Sequence, residues 1–70
     1  MSETPAEATE FPRTIGRVAT RELAAHGYRT LAQLARSSER ELLAIHGVGP
    51  KATRILGEEL AARGLAFRAD

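Results

Sequence analysis

From Ile45 to Arg54 the chain reads Ile-His-Gly-Val-Gly-Pro-Lys-Ala-Thr-Arg, a spacing suited to holding an anion rather than to breaking a bond. Gly47 and Gly49 are free to adopt positive φ, and Pro50 suits the first position of a helix that starts at once. Amides in such a turn, and in the first residues of the new helix, have no intrahelical acceptor, so they point outward toward phosphate oxygens. Lys51, the only lysine of the chain, stands beside them. A cation in a first helical turn opposes the helix dipole by a few tenths of a kcal/mol or more, roughly, and the penalty disappears once an anion occupies the turn.

Other chemistries find few residues to work with. There is no cysteine, and the two histidines, His26 and His46, fall at expected helix C-termini, where the dipole suits them, with no carboxylates spaced around them like a metal site. Ser37 and Ser38 are explained by capping, Ser2 lies near the N-terminus, and the only aspartate is the terminal Asp70. Neither an enzyme nor a cofactor or metal is expected.

Four helices are needed to position the turn. Ile15, Ala19 and Leu23 recur every four residues, with Gly27 as the stop, which predicts a helix over 17–26. Thr30 with Gln33, and Ser38 with Glu41, have the spacing of capping boxes and predict short helices over 31–36 and 39–45. Their inward residues are expected to be Leu31, Leu34 and Ala35, then Leu42, Leu43 and Ile45. The fourth helix runs from Pro50 to about 63, with Ala52, Ile55, Leu56 and Leu60 inside and Gly64 at its end. Gly57 within it costs about 1 kcal/mol against alanine, which suggests close packing against another helix. Leu65 and Phe67 are expected to fold back on the core, and residues 68–70 to fray. The third helix has Glu39 and Glu41 in its first turn, as the dipole favours, whereas the first and fourth begin with Arg17 and Lys51.

Seventy residues permit one small domain. Residues 1–10 carry three glutamates and no base, and read as a disordered acidic tail; residues 11–70 carry ten Lys or Arg against six acids, leaving a mildly basic domain of net charge +4. No apolar run approaches the roughly 18 residues of a membrane span, and the N-terminus lacks the regions of a signal peptide, so no membrane partner is expected and a cytoplasmic monomer is the default.

The chain also repeats itself. Residues 15–23 align with 48–56 at an offset of 33, five of nine positions being identical, and residues 22–27 align with 59–64 at an offset of 37, with five of six identical. The change of four residues is about one helical turn. Gly-x-x-Ala-Thr-Arg therefore occurs twice, each time at an expected helix start, which implies two similar anion sites matched to two phosphate backbones. Gly16, Arg17 and Arg21 belong to the first copy, and Arg54, the counterpart of Arg21, to the second.

With Leu43-x-x-His46-Gly47-Val48-Gly49-Pro50-Lys51-Ala52, the chain resembles the helix-hairpin-helix motif. That resemblance implies an all-α, compact four-helix domain over 11–70 of the SAM-like or helix-hairpin-helix type, with a degenerate first hairpin, where Thr14 replaces the leading glycine, and a good second one. It further implies DNA phosphate contacts by Gly47, Val48, Gly49 and Lys51, with backbone amides from Ala52 and Thr53. From Ile15 to Phe67 the layout is similar to the C-terminal domain of the bacterial RNA polymerase alpha subunit. The arginine that this family inserts into the minor groove aligns with Val18 here, and its neighbouring asparagine with Arg21, so promoter recognition does not transfer. The expectation is non-catalytic binding of duplex DNA, largely independent of sequence; the alternative is a protein-interaction domain linked to transcription. Helix-hairpin-helix glycosylases need a catalytic carboxylate in a base pocket, for which no residue is placed.

Overall fold

The structure, a computed structural model, describes residues 9–69. A 3-10 turn at Arg13–Ile15 leads into α1 (Arg17–Ala25), followed by α2 (Leu31–Leu34), α3 (Glu39–Leu43) and α4 (Pro50–Ala62). All elements among the described residues are helical, and the radius of gyration of 11.4 Å is close to the ~11 Å of a compact chain this long. No helix among them is long and apolar enough to cross a membrane.

The short helices form because their ends are satisfied by side chains. Thr30 Oγ1 accepts from the Gln33 amide while Gln33 returns Oε1 to the Thr30 amide, and Ser38 and Glu41 do the same for α3. A helix of four or five residues is far below the length at which helices persist alone, so these caps and the buried leucines must hold it together. Leu23, Leu31, Leu34, Leu42, Leu56 and Leu60 are fully buried, with Phe11, Ile15, Ala19, Val48 and Ala52 completing the core. Each such leucine contributes about 1.5–3 kcal/mol of burial free energy. α4, the one long helix, lies across the 3-10 turn and α3. The repeated termini are realised alike: the Tyr28 amide donates to Leu23 O at 2.8 Å and the Leu65 amide to Leu60 O at 2.8 Å, one six-residue closure at the end of each copy.

Several expectations are corrected. The acidic tail does not extend to residue 10: the Glu10 amide donates to Arg29 O at 3.0 Å, and its carboxylate accepts from the Leu31 amide at 2.9 Å, giving the N-terminus of α2 an anion of its own. Residues 1–8 and 70, the remainder of that tail and of the fraying end, lie outside the described residues. Arg68 does not fray, since its amide donates to Ser37 O at 2.9 Å and its Nη2 to Glu41 Oε2 at 3.0 Å. Leu43, expected inside, is exposed at the end of α3, and Leu65 is also exposed. Gly57 meets not a helix but the returning C-terminal segment: a Cβ there would lie 3.4 Å from Phe67 Cε2. Ser37 is not a capping residue: Ser38 caps α3, and the Ser37 Oγ lies 2.6 Å from Tyr28 Oη.

The Glu41 carboxyl is held below the usual glutamate range, first by the Ser38 amide that donates to it, outweighing the upward push of desolvation, with the Arg68 guanidinium adding to the effect. Its contribution to stability is fully present above the unfolded-state pKa of about 4.3 and is lost as the pH falls through the lower folded value. Thermal melts from pH 6 down to 3 should therefore show a steeper loss of Tm in the wild type than in Glu41→Gln; parallel curves would contradict this. Gly57→Ala should stabilise the domain by about 0.5–1 kcal/mol in chemical denaturation, because the half-buried Phe67 ring can settle against the new methyl, and a loss would show that the ring is fixed.

Candidate functional site

Gly47, at φ 95°, turns the chain after α3. An L side chain is strained there, and a Cβ would also lie 2.9 Å from Val18 Cγ1 and 3.0 Å from Glu22 Cγ, so this turn is seated directly on α1. The seat brings the beginning of the second copy against the first. Val48 then dives into the core with its amide donating to Ile45 O at 3.1 Å.

Gly49 differs from Gly47, and from the expectation of positive φ. It lies at φ −103°, ψ 179°, an extended N-cap geometry that most residues adopt, and a Cβ built on it meets nothing within 4 Å. Pro50 opens α4, and the first intrahelical bond is Thr53 N–H to Gly49 O at 3.1 Å. The amides of Gly49, Lys51 and Ala52 therefore donate to no acceptor among the described residues, and no side chain caps the helix. Thr53 itself is fully buried, its amide taken by Gly49 O and its hydroxyl donating to Pro50 O at 3.0 Å. Of the expected phosphate donors, Val48 and Thr53 thus have their amides occupied, while Gly49, Lys51 and Ala52 remain open.

The first copy is built on the same plan with one difference in the backbone. Gly16 caps α1 at φ 94°, ψ 159° and donates to Arg13 O, which leaves Arg17, Val18 and Ala19 as the open amides. Thr20, the counterpart of Thr53, turns its hydroxyl back to Gly16 O at 2.8 Å. A concavity of about 550 Å³ lies at this start, lined by Thr9, Phe11, Arg13, Gly16, Arg17 and Thr20. Arg13 is the cation that sequence reasoning passed over; it lies outside the repeated segment, in the 3-10 turn that no pattern announced.

Electrostatically the four helix starts divide into two kinds. α2 and α3 have capping boxes and nearby carboxylates, Glu10 on the first and Glu39 and Glu41 on the second. α1 and α4 have neither a side-chain cap nor an acid in the first turn. Arg17, Arg21, Lys51 and Arg54 are exposed around them, and none forms an ion pair with a described residue. Such a cluster of open donors and solvated cations can bind an anionic backbone; nothing in it resembles a nucleophile with its base.

Comparison with protein-family models, with curated proteins and with solved structures finds no match to this chain.

Gly47→Ala should destabilise the domain by about 1–3 kcal/mol, combining the left-handed strain with the collision against Val18. Denaturation midpoints measure it, and an unchanged midpoint would mean that the turn is not seated on α1 as described.

Proposed function

We propose that this chain is a non-catalytic DNA-binding module of helix-hairpin-helix type, which grips backbone phosphates at the start of α4 and, beside it, at the start of α1, with little regard to sequence. The observation that carries this reading is Gly49. The fold asks for no glycine at an extended N-cap with open space around it, where Ser, Asp or Asn would stabilise the helix by a few tenths of a kcal/mol more, roughly. A bare backbone at that point is useful to something that must come close to it from outside. The adjacent open amides of Gly49, Lys51 and Ala52, the missing carboxylates and the unpaired Lys51 and Arg54 all favour a phosphate there. Residues Gly47, Val48 and Thr53 then serve the site by shaping it: the first seats the turn, and the other two anchor it to the core. Arg17 and Arg21 supply charge from the first copy, around Gly16.

Duplex affinity should fall with salt, the log-log slope being about −0.9 for each phosphate neutralised. Lys51→Ala should remove about one unit from that slope, and binding insensitive to salt would reject the reading. Gly49→Ser separates site from fold: it should leave the melting temperature unchanged or slightly raised, since serine is at least as good an N-cap, while duplex binding weakens. In NMR titration the amides of Gly49, Lys51 and Ala52 should shift first; shifts confined to residues 65–69 would point instead to a protein-docking surface.

A further inference from the structure

We draw no further inference here: the strongest candidate, the concavity at the start of α1 lined by Arg13 and Arg17, is a helix N-terminus, and among the described residues no buried polar side chain without a hydrogen-bond partner points into it to indicate a ligand.

Discussion

The seating of Gly47 on α1 is the constraint from which the rest of the candidate site follows. Without a side chain at this residue, the chain can turn at positive φ directly over Val18 and Glu22, and the two copies of the repeated unit come to lie side by side. That contact fixes where α4 begins. Once α4 begins there, Val48 falls into the core and Thr53 closes the first turn, so the open amides are held by groups that face the interior. The site is exposed, but its supports are not. A shelf of this kind gives loop residues the precision of helix residues, which is what recognition of a phosphate by backbone donors requires.

The difference between the helix starts is best understood as a division of labour. Short helices cannot persist without caps, and α2 and α3 are the shortest in the chain; each has a complete capping box and a carboxylate near its first turn. α1 and α4 are longer and each buries more residues than α2 or α3, so packing sustains them without caps. Open donors are therefore found where the fold can tolerate them, and the same two starts are the ones with a basic residue and no acid in the first turn.

Much of this was legible in the sequence because it is local. Capping boxes are four-residue patterns, and both Thr30-Gln33 and Ser38-Glu41 formed as their spacing implied. The starts of α2 and α3 follow from their capping boxes, and the repeat matches the ends of α1 and α4. What could not be read was any pairing across the chain. Glu10 reaches Leu31, Arg68 reaches Ser37 and Glu41, and Phe67 covers Gly57, and none of these has a spacing that signals it. The same holds inside the candidate site. Glycines at 47 and 49 look interchangeable in the motif, yet one is demanded by its φ and neighbours while the other is not; only the backbone conformation separates them.

That separation carries the functional argument further than the motif does. A glycine required by its own backbone says nothing about a ligand, because the fold alone would retain it. At Gly49 the backbone is ordinary and the surrounding space is open, so the fold offers no reason to forgo a capping side chain worth roughly a few tenths of a kcal/mol over glycine. Lys51 adds an opposed charge in the first turn of the same helix, and that turn holds no acid to compensate for it. Two local choices that each disfavour the helix thus occur within three residues, while α2 and α3 show that better solutions were available to this chain. Local violations concentrated at one place, in an otherwise consistent fold, are expected where a surface serves a ligand. An anion placed against those amides removes both penalties at once.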